Sequence, residues 1–240
     1  MKKFLTTGFL ASLLVLFTSC LGEGSSIDER TTYGIAVAHG NSYAPIVYEA
    51  TGLYVYSEQL SLELREGDCI IYHRSIDLAA QESGTGYYKA AVGDYKILPY
   101  TSPVDYFNTD DVLSKEFTTS NLMPKAFLEG RLFVATSHPK IASDQKNNFY
   151  TQCSGEADIE DGEHVYNIYL RATERVEGER TKTQNEELSI VDLRELIAIE
   201  KNAGRRTMNV KIHYATEFNS ESTLVTKWGS FGFPITILED

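Results

Sequence analysis

The sequence predicts an all-β protein of two domains, a small five-stranded barrel followed by a β-sandwich. Two observations indicate this fold. Short runs rich in Tyr, Val, Ile and Thr recur along the chain, and these residue types favour strands. Several of the runs alternate apolar with polar residues, which is the pattern of a strand with one buried face.

Residues 1–19 have the pattern of a secretory signal peptide. Lys2 and Lys3 precede an apolar run over residues 9–17, which is shorter than the roughly 20 residues that a membrane-spanning helix needs. The segment ends on Phe17-Thr18-Ser19-Cys20, and a cysteine after two small residues is where bacterial lipoprotein signals are cut and acylated. Phe17 stands where that pattern usually has Leu, so an ordinary signal peptide cut elsewhere is the alternative. We expect a chain that begins at Cys20 and carries lipid there.

The barrel is expected over residues 31–100, after a flexible acidic tether over residues 20–30. Leu60, Leu62 and Leu64 alternate with polar residues, which predicts a half-buried strand. Five strands in about seventy residues, without a convincing helix, suit a small barrel. The five strand-like runs cover residues 33–38, 46–56, 60–64, 69–73 and 87–98.

Two segments of the chain are less regular. Residues 101–125 contain Pro103 and Pro124, which predicts a linker between the domains, with room for one helical turn. Residues 188–202 fit either a helix or a strand followed by a short helix from Arg194, and the second interpretation is favoured. Gly204 could end that helix.

The sandwich is expected over residues 126–240. Residues 164–172 and 207–216 alternate regularly between an apolar and a polar face. Because each apolar face must be covered, a second sheet is needed, which predicts a sandwich. Pro234 in the last run, residues 231–238, indicates an edge strand or a bulge.

The formal charge excludes one class of partner. The 240-residue chain has a net charge of −12, and removal of residues 1–19 takes away Lys2 and Lys3, which leaves −14. A domain this acidic repels phosphate backbones, so no nucleic acid is expected as a partner. Residues 171–182 are the best candidate for a basic patch, but acidic residues alternate with the basic ones there. This mixed charge predicts a solvated loop. Contact with the membrane should come from the acyl anchor alone.

Two cysteines, Cys69 and Cys153, follow the signal segment. They lie far apart in the sequence and do not form a disulfide framework. Cys69 sits in the apolar run Asp68-Cys69-Ile70-Ile71-Tyr72, so a buried free thiol is expected there. A Cys69–Cys153 bridge is the alternative.

This layout resembles the NigD-like lipoproteins of Bacteroidetes. The segments that carry the resemblance are Glu66-Gly67-Asp68-Cys69-Ile70-Ile71-Tyr72, Gly86-Tyr87-Tyr88-Lys89-Ala90-Ala91-Val92 and Ser189-Ile190-Val191-Asp192-Leu193. The resemblance implies an OB-like five-stranded β-barrel followed by a β-sandwich, located in the cell envelope and most simply at the outer membrane. Both the periplasmic side and the cell-surface side of that membrane remain open as locations. The resemblance brings no catalytic residue, and the bacteriocin-cluster gene behind the family name suggests only an immunity or accessory role.

No catalytic, cofactor-binding or metal-binding constellation is predicted. The five histidines have no chelating spacing, and there is no G-x-S-x-G turn. Gly84-x-Gly86 precedes a strand, whereas a dinucleotide loop precedes a helix. The acidic run 156–163 lacks the ligand spacing of an EF-hand, so it is interpreted as an acidic surface loop. We expect a protein that has no cofactor and is not an enzyme. The alternative is a hydrolase whose active site is assembled from residues far apart in the sequence.

Tyrosines are concentrated near the end of the barrel and in the linker. Tyr87, Tyr88, Tyr100 and Tyr106 are candidate ligand contacts, because an aromatic face packs on a sugar or peptide while its hydroxyl donates a hydrogen bond. Packing in the core or between the domains is the competing explanation. The expected partners are therefore the membrane, through the lipid anchor, and an unknown envelope protein or glycan.

Overall fold

The computed structural model describes residues 26–40, 42–81, 84–101, 103–104, 110–140, 145–175 and 183–237. Five strands near the N-terminus close into a barrel in the order β1-β2-β3-β5-β4, with β4 pairing back onto β1. These strands are β1 (Ile27–His39), β2 (Ser42–Glu49), β3 (Tyr54–Tyr56), β4 (Cys69–Asp77) and β5 (Tyr88–Ile97). A short helix, α1 (Glu58–Glu63), lies between β3 and β4. The predicted OB-like barrel is confirmed.

The prediction of a strand over residues 60–64 is wrong. Leu60 and Leu64 are both buried, whereas Leu62 is 82% exposed. Residues four apart share one face of a helix, but a strand would place all three leucines on the same face. Leu60 and Leu64 therefore fit helical spacing, and both pack against the barrel core.

The barrel also begins earlier than expected. Strand β1 starts at Ile27, within the predicted tether, and its first residues pair with the end of β4 from Ile27↔Asp77 to Arg30↔Arg74. Asp28 in this segment accepts a hydrogen bond from buried Arg74 at 2.8 Å. This contact extends the folded part of the chain to within seven residues of Cys20, which itself lies outside the described residues.

The second domain consists of two sheets packed face to face. The six-stranded sheet has the order β15-β14-β12-β10-β7, with β11 paired to β12, and the four-stranded sheet has the order β6-β13-β9-β8. The strands are β6 (Tyr100–Thr101), β7 (Pro103–Val104), β8 (Asn121–Leu128), β9 (Arg131–Lys140), β10 (Lys146–Gln152), β11 (Asp158–Glu160), β12 (Glu163–Arg175), β13 (Thr183–Asp192), β14 (Thr207–Phe218) and β15 (Val225–Thr236). The sandwich is confirmed, and the short strands β6 and β7 of the predicted linker belong to it.

The four-stranded sheet is buried on both faces. Leu132, Val134 and Val191 face the six-stranded sheet and belong to the sandwich core. Phe133 and Ile190, their neighbours on the same strands, pack instead with the barrel residues Ile35 and Cys69. The chain therefore has three layers, and the barrel is joined to the sandwich by an apolar interface.

The alternating runs fold as predicted. Tyr166, Ile168 and Leu170 of β12 are buried in the sandwich core, as are Met208, Val210 and Ile212 of β14. Strand β15, which contains Pro234, is an edge strand. The segment from residue 188 continues β13 and then forms helix α2 (Arg194–Asn202), and Gly204, with φ +73°, follows the helix end. No helix in the described residues is long and apolar enough to cross a membrane.

Candidate functional site

One predicted tyrosine, Tyr87, lies in an aromatic cluster at the rim of the barrel. Its ring centroid is 5.2 Å from that of His39, edge to face, and 5.5 Å from that of Tyr56. The three half-buried rings come from the end of β1, from β3 and from the segment before β5. OB folds bind ligands through the face of strands 2 and 3 and the loops that join strands 1–2 and 4–5. This barrel aromatic cluster (His39, Tyr56, Tyr87) occupies the corresponding place.

Of the other predicted tyrosines, Tyr88 and Tyr100 do not form one surface with Tyr87. Tyr88 pairs with Val55 and lies on the same side of β5 as Val92, which packs against the barrel core. Tyr100 packs at the interface between barrel and sandwich. Tyr106 lies outside the described residues. The tyrosines of this region therefore divide between a rim cluster, the barrel interior and the domain interface.

Tyr100 has a structural partner in Cys69. The Cys69 Sγ atom lies 3.3 Å from the Tyr100 hydroxyl, which also donates to the Gly67 carbonyl. Burial raises the pKa of Cys69 to about 11 and raises that of Tyr100 well above its usual value. Cys69 and Cys153 are both free thiols, as expected for Cys69, and no bridge joins them. A thiol with this pKa is protonated at neutral pH, so Cys69 acts as a packing residue.

His73, on the same strand as Cys69, is directed elsewhere. Its ring is 45% exposed, and the two ring nitrogens lie 3.2 Å from Thr31 Oγ1 and 3.1 Å from Glu29 Oε1. These contacts tie β4 to β1 on the outer wall of the barrel. His73 and Cys69 therefore have separate structural roles.

The barrel interior contains a buried ion pair. Arg74 donates to both carboxylate oxygens of Glu49 at 2.9 Å, and neither side chain is exposed. Tyr72 and Thr51 each donate a further hydrogen bond to Glu49 at 2.6 Å. Because both oxygens are already occupied, this carboxylate is a structural group and a poor general base.

The sandwich contains a second buried pair, and it corrects one prediction. Arg171 was expected to begin a solvated loop, yet it lies in β12 and is fully buried. Its guanidinium donates to both oxygens of Glu116, to the Asp111 carbonyl at 2.6 Å and to Gln152 at 3.1 Å. The segment that carries Asp111 and Glu116 is attached to the six-stranded sheet by the backbone bridges Asp111↔Leu224 and Glu116↔Thr173, which brings its polar groups to the buried Arg171.

Three further rings form a patch on the outer face of the six-stranded sheet that the sequence patterns do not predict. Tyr169 stacks on His213 with centroids 4.7 Å apart, and Trp228 contacts Tyr169 edge to face at 5.0 Å. All three are half-buried. The alternation of residues 207–216 places His213 on the outward, polar face of its strand. The available signal was its outward position on β14 combined with the one Trp in the chain.

The acidic run 156–163 is held by hydrogen bonds to the sheet. Asp158 accepts from Asn167 at 2.7 Å, Glu163 accepts from Asn209, and Glu160 pairs with Lys211 at 3.5 Å. Within the described parts of the chain, no three His, Cys, Asp or Glu side chains are arranged to hold a metal ion.

Comparison with known proteins identifies the first domain. Residues 24–96 match the family model of the lipoprotein OB domain. No curated protein matches the sequence. The match covers the barrel and confirms the OB assignment that the sequence predicted.

Solved structures share the whole fold. An uncharacterized protein from Parabacteroides merdae is 21% identical, with a TM-score of 0.71 over 88% of this chain and 100% of its own. A Bacteroides fragilis protein named as a lipoprotein is 14% identical, with a TM-score of 0.57 over 88% and 98%. A NigD-like immunity protein from Bacteroides caccae is 13% identical, with a TM-score of 0.52 over 87% and 96%. The predicted resemblance is confirmed in its OB domain and its two-domain fold.

Proposed function

For a chain with a lipoprotein OB domain and the two-domain fold of a NigD-like protein, we propose a lipid-anchored, non-enzymatic interaction protein of the cell envelope, held at the outer membrane. The observation that carries the proposal is the position of the domain match. It begins at residue 24, directly after the predicted acylation site Cys20. Seven residue steps from Cys20 to Ile27 span at most about 25 Å, so the barrel lies close to the membrane surface.

The barrel aromatic cluster is the proposed contact surface of this module. His39, Tyr56 and Tyr87 present ring faces at the rim where OB folds receive extended ligands. The net negative charge disfavours nucleic acid, which leaves an envelope protein or a glycan as the partner.

A non-enzymatic role is supported by the state of the reactive groups. Each of the carboxylates of Glu49 and Glu116 accepts hydrogen bonds at both oxygens from a buried arginine. The Cys69 thiol has a pKa of about 11. These groups stabilise the fold and are unsuited to proton transfer or nucleophilic attack near neutral pH.

Lipidation is tested directly in the producing bacterium. Cells are grown with an alkyne fatty acid, and the protein is purified, labelled and analysed by mass spectrometry of its N-terminal peptide. We expect a diacylglyceryl Cys20 as the first residue, and loss of both label and membrane association in the Cys20→Ser variant. A native chain that retains residues 1–19, or one without the fatty modification, would contradict the proposal.

A second candidate function is bacteriocin immunity, suggested by the fold shared with the Bacteroides caccae protein. At 13% identity that likeness extends only to the fold. Deletion of the gene should then sensitise the cell to toxins of related strains, and expression of the intact protein should restore resistance. Unchanged sensitivity to all of these toxins would contradict the immunity function, and the interaction role would then be the remaining proposal.

A further inference from the structure

The outer face of the six-stranded sheet presents the aromatic patch already described, here called the sandwich platform (Tyr169, His213, Trp228). Its members come from three adjacent strands, β12, β14 and β15. Tyr169 is the cross-strand partner of His213, which in turn pairs with Ser230, two residues from Trp228. Since alternate residues of a strand share a face, all three rings lie on the side opposite the sandwich core.

Two contacts fix the rings of the platform, one to Trp228 and one to His213. The Arg171 guanidinium lies 5.4 Å from the Trp228 ring, in a cation–π contact, and is itself fixed by Glu116. His213 Nε2 donates to Asn167 Oδ1 at 2.7 Å. Burial lowers the pKa of His213, so its ring is neutral at neutral pH. Rings held in this way lose little conformational freedom when a ligand binds, which favours affinity.

An open groove lies on the same face, on the cross-strand rows next to the platform. It has a volume of about 370 Å³, and its lining includes Asn209, Lys211, Gly232 and Glu160. Lys211 and His213 are alternate residues of β14, about 7 Å apart along the strand. Gly232 pairs with Lys211, and a Cβ at Gly232 would meet no atom within 4 Å, so the face is open above Gly232.

We propose that the sandwich platform and this groove bind a neutral pyranose oligosaccharide. Sugar rings have apolar faces that pack on aromatic rings, and their hydroxyls need donors and acceptors at the edge of the stack. Asn209, Lys211 and Glu160 supply both kinds of group along the groove, with Lys211 nearest to the rings. Because the Lys211–Glu160 contact is weak, at 3.5 Å, both side chains can form hydrogen bonds with a sugar hydroxyl. The site goes beyond the proposed function and does not depend on lipidation.

Neutral sugars are favoured over anionic ligands by the local charge. The groove is lined by Glu160, Asp161 and Glu163, with Lys211 as its basic residue. Carboxylates at this density repel phosphate, sulfate and uronic acid groups, whereas they accept hydrogen bonds from neutral hydroxyls.

A purely structural role for the platform predicts a different result in the binding experiment. If the rings serve only to shield the Arg171–Glu116 pair from water and no sugar packs on them, removal of Tyr169 or His213 should have no effect on sugar binding. The two roles are therefore separated by variants of the rings that do not cover Arg171.

The experiment uses the single tryptophan as a reporter. The full chain, in a detergent without a sugar headgroup, is titrated with hexasaccharides of glucose, xylose, mannose and N-acetylglucosamine while Trp228 emission is recorded. We expect at least one to shift or quench the emission saturably, with affinity lost about tenfold or more in Tyr169→Ala and His213→Ala. Calorimetry on the same samples detects any binding that leaves the Trp228 emission unchanged.

The matched control is Tyr54→Ala, which removes a 43% exposed tyrosine from the barrel. It should leave the affinity unchanged, and circular dichroism should show all variants folded. The proposal is overturned if no hexasaccharide binds below about 5 mM, a weak limit for a specific site. It is equally overturned if both ring variants bind like the parent chain, or if only acidic sugars or peptides bind.

Discussion

The Arg171 guanidinium and the Glu116 carboxylate form two hydrogen bonds of 2.5 Å, and neither side chain is exposed to solvent. The two residues are 55 positions apart in the sequence. Their pairing joins the segment after the barrel to strand β12 of the sandwich, beside the backbone bridge Glu116↔Thr173. The Arg171 guanidinium also lies 5.4 Å from the centroid of the Trp228 ring, which links the order of the platform to the integrity of this pair.

Replacement of one member of this pair should be strongly destabilising. Glu116→Gln leaves the buried Arg171 charge without a counter-charge, so we expect a loss of about 3 kcal/mol or more in the free energy of unfolding, measured with urea. Exposed Glu156→Gln is the matched control and should change stability by less than about 0.5 kcal/mol. A loss below 1 kcal/mol for Glu116→Gln would show that the pair contributes little.

The barrel and the sandwich should unfold together. Phe133 packs between the layers, with its ring centroid 5.5 Å from that of Tyr33. We expect far-ultraviolet circular dichroism, which reports on both domains, and Trp228 emission, which reports on the sandwich, to give one coincident transition. Phe133→Ala should remove about 3–5 kcal/mol and separate the two curves.

The control for this experiment is Ile199→Ala, which truncates an exposed side chain of α2 and should leave the transitions coincident. Separate transitions in the unmodified chain would mean that the apolar interface does not couple the domains.

The same substitution should destabilise the protein at one glycine and have little effect at another. A Cβ at Gly34 would meet Val47 Cγ1 at 2.3 Å and the Tyr48 carbonyl at 3.2 Å, whereas one at Gly232 would meet nothing within 4 Å. Gly34→Ala should therefore lower the free energy of unfolding by about 1–3 kcal/mol through overpacking at the β1–β2 pair. Gly232→Ala should change it by about 0.5 kcal/mol or less, and equal effects would refute the steric explanation.

The Cys69 thiol should resist alkylation in the native protein. Its pKa is raised to about 11 by burial, so at pH 8 the thiol is almost entirely protonated as well as inaccessible. Iodoacetamide followed by peptide mapping should leave Cys69 unmodified at pH 8 and label it fully in 6 M guanidinium. Rapid native labelling at pH 8 would contradict both the burial and the raised pKa.

Local patterns in the sequence were sufficient to predict much of the fold. The alternation in β12 and β14 identified their buried faces, because a strand with one covered face has a period of two. Residues 188–202 were correctly assigned as a strand followed by a short helix. The same reasoning failed for helix α1, since Leu60 and Leu64, four residues apart, fit one face of a helical turn as well as one face of a strand.

The contacts between distant segments were not available from those patterns. Arg171 looked like a solvated residue because its partner Glu116 lies 55 positions earlier, and only the packing of the intervening segment brings them together. The platform of Tyr169, His213 and Trp228 likewise depends on strand order and register. Periodicity reports which side of a strand is buried, whereas the free energy of burying whole faces selects which strands become neighbours. Local sequence thus predicted the elements and the two domains, and tertiary packing determined which side chains form a site.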